Sequence, residues 1–251
     1  MTAGRTSPRW RLDRLLSHAA GISRRGAAAE IRAGQVWVNG REVTRDDEPV
    51  DPVGDQVCWR GQAVRLPGHV VLVQHKPAGV VSATAGEPGR TVIDLVPVPL
   101  RRPGLAPVGR LDRDTTGLLI LTTDGDLNHR LTHPRHHVDK VYLADLARPL
   151  PADAAQRLAD GLVLDDGPCL PASLATQTPL QVRLTVREGR FHQVKRMVMA
   201  LGSEVTHLHR ERFGALELPA DLLPGQTREL TAGERVLLLG EYPADPSGAP
   251  G

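Results

Sequence analysis

The sequence predicts an α+β protein of two unlike parts, a small helical module with a hairpin followed by a larger body of interspersed strands and helices. Three observations point there. The 251 residues suffice for one sizeable core plus an appended module. The first 45 residues carry nine arginines against Asp13, Glu30 and Glu42. Hydrophobic spacing then changes from helical intervals in the first third to short apolar runs and alternation beyond Pro67-Gly68.

In chain order, a first helix is expected behind a Ser7 cap with Pro8 in its first turn, ending at Gly21. Leu12, Leu15, Leu16 and Ala19 form its buried stripe, with Arg11, Arg14 and His18 on another face. A second helix is expected from a Ser23 cap to Gly34, exposing Arg24, Arg25 and Arg32. Gln35 to Val38, Asn39-Gly40 and Arg41 to Val43 read as a hairpin. An acidic patch of Asp46, Asp47, Glu48, Asp51 and Asp55 follows. Two basic helices and a hairpin are the make-up of a small RNA-binding module, with Arg11, Arg14, Arg24 and Arg25 as its contacts. Arg11 to Leu16, Ser23 to Arg25 and Gly34 to Gly40 resemble the alpha-L RNA-binding motif.

In the body, Val70 to Gln74 reads as a strand and Gly89 to Gly104 as a loop with a short helix. Gly109 to Gly117 places Arg110, Asp112, Arg113, Asp114, Thr115 and Thr116 in one loop, ahead of the apolar strand Leu118 to Leu121. The two glycines suit sharp turns. A helix capped near Asp126 runs to Thr132, and Val138 to Leu143 alternates as a strand with Lys140 and Tyr142 on one face. Pro151 to Asp160 is expected as a helix, Gln181 to Arg187 as a strand, and His192 to Gly202 as a helix with a basic start.

Several chemistries compete for these residues. Asp112-x-Asp114-x-Thr116 has the spacing of phosphatases of the haloacid-dehalogenase type, but there the aspartate ends a buried apolar strand, whereas Ala106 to Arg110 precedes it here. Asp114 and Thr115 read as caps of the following element. His129, His133, His136 and His137 invite a zinc site, yet the last two point apart on a strand and a patch facing a polyanion explains them equally well. No metal is expected. Two cysteines, Cys58 and Cys169, make neither a disulfide framework nor a Cys-rich zinc site. No run approaches the roughly 18 apolar residues of a membrane helix, and Met1 to Pro8 lacks an apolar segment, so a soluble, cytoplasmic protein is expected.

Taken together, Gly109-Arg-Leu-Asp112-x-Asp-Thr-Thr-Gly-Leu, Lys140-x-Tyr142 and Glu188-Gly-Arg-Phe-His-Gln-Val-Lys195-Arg-Met resemble the RNA pseudouridine synthases of the RsuA/RluB/E/F branch. The resemblance runs from Arg11 to about Leu230. Thr132 to Tyr142 and Gln181 through His209-Arg210-Glu211-Arg212 look closest to members acting on 16S ribosomal RNA; 23S RNA, or RNA binding without catalysis, are the alternatives. All three lysines of the chain, Lys76, Lys140 and Lys195, fall in motifs of this family against a background of arginine.

The resemblance implies an RNA-binding module at 9–66 and a catalytic domain of mixed, mostly antiparallel sheet at 67–242; the Pro-, Gly- and Ala-rich stretch 243–251 reads by composition as a disordered tail. It implies isomerisation of a uridine in ribosomal RNA, on a small-subunit assembly intermediate, by a monomer without cofactor. Asp112 would be the essential carboxylate, as nucleophile or base, with Lys195 as its cationic partner and Arg196 as the alternative. Tyr142 would stack on the extruded base and Arg110 would fill the space it leaves. Lys76, His136, Lys140, Arg190, Arg196 and Arg210 would contact the RNA, chiefly its phosphates.

Overall fold

The computed structural model describes residues 9–52, 54–64, 69–84 and 89–240, arranged in two compact units, Met1–His69 and Val70–Gly251. The expected Ser7 cap, the Pro67-Gly68 boundary and the 243–251 tail lie outside the described residues.

In the first unit, helix α1 spans Leu12–Ala20 and α2 spans Arg24–Arg32. The first helix starts later than expected because Trp10 and Arg11 pair as a strand with Val50 and Pro49. Gly21 ends it at φ +66, and the Ser23 hydroxyl caps α2 by accepting from the Gly26 N–H at 3.0 Å. Leu12, Leu15 and Leu16 meet Ala27, Ile31, Val36 and Val57 in a small core. Strands β1 (Val36–Val38) and β2 (Arg41–Glu42) are joined by Asn39 at φ 52 and Gly40 at φ 79, the two left-handed residues of a type I′ hairpin. Strands β3 (Val57–Trp59) and β4 (Gln62–Val64) complete a sheet of order β2-β1-β3-β4.

The second unit is built on a nine-stranded sheet. Its main strands in chain order are β5 (Val71–Lys76), β6 (Thr116–Thr122), β7 (Lys140–Leu146), β8 (Ser173–Thr178), β9 (Gln181–Val186), β10 (Val205–Phe213) and β11 (Thr227–Glu229). They lie in the order β8-β9-β7-β10-β6-β5-β11, with Ala106–Pro107 beside β6 and Leu216–Glu217 beside β10. Pairing is antiparallel except between β6 and β10, so the sheet is mixed and mostly antiparallel as expected.

Strand β6 is buried on both faces, which is why its sequence reads as an unbroken apolar run. Leu119 and Leu121 join one core with Leu72, Tyr142 and Leu184; Leu118 and Ile120 join the other with Val71, Val73 and Phe213. Helices α4 (Ala154–Asp160) and α5 (Gln193–Ala200) contribute Leu158 and Met197 to the first core. Helices α3 (Gly125–Thr132) and α6 (Ala232–Gly240) contribute Leu127 and Leu238 to the second. The cap of α3 is Asp124, not Asp126: its carboxylate accepts from the Asp126 and Leu127 N–H groups at 3.0 Å each.

The parallel junction explains Gly117. A Cβ there would lie 2.3 Å from the Arg210 carbonyl oxygen, and the residue sits at φ +106. The glycine is required by the close approach of β10 as well as by its backbone angle, rather than by a sharp turn alone.

Candidate active site

The loop carrying Asp112 enters the sheet at this junction and is fastened from below. Ser82 Oγ donates to the Leu111 carbonyl at 2.8 Å and accepts the Leu111 N–H at 3.1 Å. The Gly79 N–H donates to the Arg113 carbonyl at 2.7 Å. Lys76, fully buried at the end of β5, points its ammonium at the carbonyls of Pro77, Asp112, Arg113 and Thr115 at 3.1, 3.0, 3.2 and 2.8 Å. Burial lowers its pKa to about 8, with Asp114 and Asp112 opposing the shift. Lys76, expected as an RNA contact, therefore sits buried and shapes the loop from inside.

Above the loop, α5 follows β9 after a six-residue connection, 187–192, and delivers Lys195. Its Nζ lies 3.3 Å from Asp112 Oδ2 and 2.6 Å from Asp114 Oδ1. The hydrogen bond from Lys195 holds the Asp114 carboxyl below its ordinary value. Asp112 and Lys195 each keep about a quarter of their side-chain surface, 25% and 23%, so the pair is reachable yet partly withdrawn from water. His192, which opens α5 at φ 50, places Nε2 3.5 Å from Asp112 Oδ1. A carboxylate held between an ammonium and an imidazole can act on an electrophilic carbon or accept a proton.

Tyr142 and Asp112 approach from different strands. Tyr142 pairs across the sheet with Arg210, and Arg210 pairs with Gly117, so the tyrosine stands two strand spacings, roughly 10 Å, from the strand that follows the loop. The ring is 8% exposed.

Arg110 is exposed and makes no hydrogen bond or ion pair among the described residues. It borders an open surface groove lined also by Ser82, Thr84, Asn128 and Thr132. His136 is exposed as well, its ring edge against His133 at 5.8 Å, which in turn meets His129 at 4.9 Å. Among the described residues no group of three or more His, Cys, Asp or Glu side chains is arranged to hold a metal ion.

Four other expected RNA contacts are held by protein groups in this structure. Arg210 is buried, donates from Nε to the Leu118 carbonyl at 2.8 Å, and leaves Nη2 without a partner in the interior. Lys140 turns its ammonium onto the Val138 carbonyl at 2.8 Å and the Phe213 ring at 5.4 Å, and burial lowers its pKa to about 8. Arg190 is engaged by Glu188, Asp166 and the carbonyls of Gly167 and Pro168. Arg196 is engaged by Asp165, Asp166 and the Phe191 carbonyl, which also removes it as the partner of Asp112. Between them, Arg196 first, these guanidiniums pull the Asp166 carboxyl down to about 2.

In the N-terminal unit, Arg11 and Arg24 both reach Asp13 at 3.1 Å while remaining more than half exposed. Arg14 lies 4.3 Å over the Trp10 ring, and Arg25 is exposed without a partner among the described residues. Part of the acidic patch folds back onto arginine: Asp46 pairs with Arg32, Asp47 with Arg45 and Glu48 with Arg41, at 2.6, 3.2 and 2.7 Å.

Sequence reasoning missed His192 and the attachment of Asp114 to Lys195. The signal for His192 was its place at the start of α5, one turn before Lys195.

The fold and this loop define an RNA-modifying enzyme class. A family described as RNA pseudouridylate synthase matches residues 70–200 and an S4 domain matches residues 10–57; the chain belongs to the RNA pseudouridylate synthase family. It is 42% identical over 226 residues to the ribosomal small subunit pseudouridine synthase A of Yersinia pestis, covering 89% of this chain and 96% of that protein. The protein of the same description from Escherichia coli (strain K12) is likewise 42% identical over 226 residues, covering 89% and 97%. A crystal structure of a pseudouridylate synthase superposes with a TM-score of 0.65 at 35% identity, covering 92% of this chain and all of that one.

Proposed function

We propose that this chain isomerises a uridine of small-subunit (16S) ribosomal RNA to pseudouridine, acting as a monomer in the cytoplasm on RNA of an assembly intermediate. The observation that carries the reading is the Lys195 ammonium bridging Asp112 and Asp114 on a loop stapled to Lys76. The reaction breaks the bond from ribose to the ring nitrogen and forms one to a ring carbon; the carbon loses a proton and the nitrogen gains one. No electrons are exchanged with a cofactor. Asp112 is the reacting carboxylate, and Lys195 keeps a positive charge against it. The rim of Tyr142 receives the extruded base, a contact worth roughly 1–3 kcal/mol, and Arg110 enters the space vacated in the RNA. The N-terminal unit contributes Arg11, Arg14, Arg24 and Arg25 and the body His136 to phosphate binding, supported by the S4 match and by the exposure of these side chains.

Pseudouridine mapping of ribosomal RNA from a strain lacking the gene, with the wild-type gene restored in parallel, tests the target. Loss and recovery of one small-subunit pseudouridine is expected. Loss from large-subunit RNA instead would redirect the enzyme to 23S RNA, and no loss from either would leave an RNA-binding protein. Conversion in excess chelator is expected to be undiminished, whereas a magnesium-dependent phosphatase would stop.

A further inference from the structure

Of the chain's two phenylalanines, Phe213 is buried and Phe191 stands 76% exposed. Among the described residues Phe191 is the one exposed side chain of the Phe, Trp and Tyr types. The loop presenting it is not slack. The Arg190 N–H donates to Gln193 Oε1 at 3.1 Å, Gln193 Nε2 donates to Glu188 at 2.7 Å, and Arg196 donates to the Phe191 carbonyl at 3.0 Å. The His192 ring stacks on the phenyl, with centroids 3.8 Å apart and planes 19° from parallel. His192 itself is held at φ 50, a left-handed backbone uncommon outside glycine and concentrated at functional sites. The other end of that imidazole is 3.5 Å from Asp112. A pair of stacked rings thus runs from the reacting carboxylate out to solvent, with the outer face of the phenyl bare.

We propose that Phe191, backed by His192, is a stacking platform for the unpaired RNA base next to the target uridine. The inference rests on the reading of the substrate as RNA. Extruding one base leaves its neighbours short of a stacking partner, and a fixed aromatic face accepts any base without reading its edge. The flanking side chains, Arg190, His192 and Arg196, are polar or basic, which suits a nucleic-acid partner. Rigid backing keeps the ordering cost of the ring low on binding.

The test uses full-length protein and an RNA fragment carrying the target uridine, with 2-aminopurine placed in turn on its 5′ and 3′ sides. Wild type is expected to change the fluorescence at one of the two positions, and Phe191→Ala to lose that change. Phe191→Ala should raise KM about tenfold, within the range of a lost base–aromatic stack, with kcat within about twofold. Phe191→Tyr should restore both readouts and Phe191→Leu neither. The exposed position predicts an unaltered thermal midpoint for all three. Unchanged KM in Phe191→Ala, full rescue by leucine, or a change of oligomeric state in place of KM would overturn the platform while conversion by wild type leaves the functional reading standing. Wild type that converts no RNA would overturn both.

Discussion

The two units use positive charge in opposite ways. In the N-terminal unit the arginines lie on the surface, mostly exposed, several sharing an acid with solvent, as Arg32 does with Asp46 and Arg41 with Glu48. In the catalytic unit Lys76 is drawn fully inside against four carbonyls, and Lys195 is three-quarters covered between two carboxylates. Exposed pairs contribute little to stability and are screened by salt, which leaves such arginines free to exchange an acid for a phosphate. Covered cations are fixed in place and hold a geometry. Affinity for RNA and rate of conversion should therefore separate between the two units.

The strongest way to break that separation is Lys195→Met, expected to slow conversion at least about 100-fold by removing the charge against Asp112, with RNA affinity within about threefold. Single-turnover kinetics and filter binding read the two quantities. Lys195→Arg keeps the charge on a bulkier planar group, and full activity there would show that a compact ammonium is not needed. Next comes Gly117→Ala, whose methyl group meets the Arg210 backbone at 2.3 Å; denaturant titration should show a loss of about 3 kcal/mol.

Lys76→Met should fold, lose about 10- to 100-fold in kcat as the Asp112 loop loosens, and leave RNA affinity unchanged. The pH dependence gives a sign to check. With its native pKa lowered to about 8, the ammonium grips the loop below that pH, and wild-type kcat should fall as pH rises through about 8. Stability moves the other way: between about 8 and the unfolded lysine value of about 10.4 the unfolded chain holds a proton that the native one has lost, so this group's contribution to stability rises with pH. Lys140, also lowered to about 8, adds a second such slope that Lys76→Met retains. Smallest is Arg14→Ala with Arg25→Ala, expected to weaken binding a few-fold and reduce the salt slope by about 1.5, with kcat unchanged.

Much of this was legible in local pattern. The stripe Leu12, Leu15, Leu16 and Ala19, the Asn39-Gly40 turn and the inward Val182, Leu184 and Val186 are all read from nearest neighbours, and all are found except that Ala19 is only half-buried. Asp112 and Lys195 were legible as members of motifs, and they meet. What local pattern did not show was long in range. Nothing near Lys76 in sequence shows that carbonyls 36 to 39 residues away will surround it. Gly117 suggested a turn because the strand that crowds it arrives more than 90 residues later. Arg190 and Arg196 suggested phosphate ligands because Asp165 and Asp166, which capture them, sit on a separate hairpin about 25 to 30 residues away. The start of α1 shifted for the same reason, through pairing with Pro49 and Val50. Charge in a sequence identifies a cation but not what will neutralise it.

The most direct test of the central claim is Asp112→Ala measured beside wild type in single turnover on small-subunit RNA, with RNA affinity determined on the same preparations. With Asp112 proposed as the reacting carboxylate and the arginines as the RNA contacts, conversion should vanish while affinity stays within about threefold. Isomerisation near the wild-type rate would contradict the assignment of Asp112.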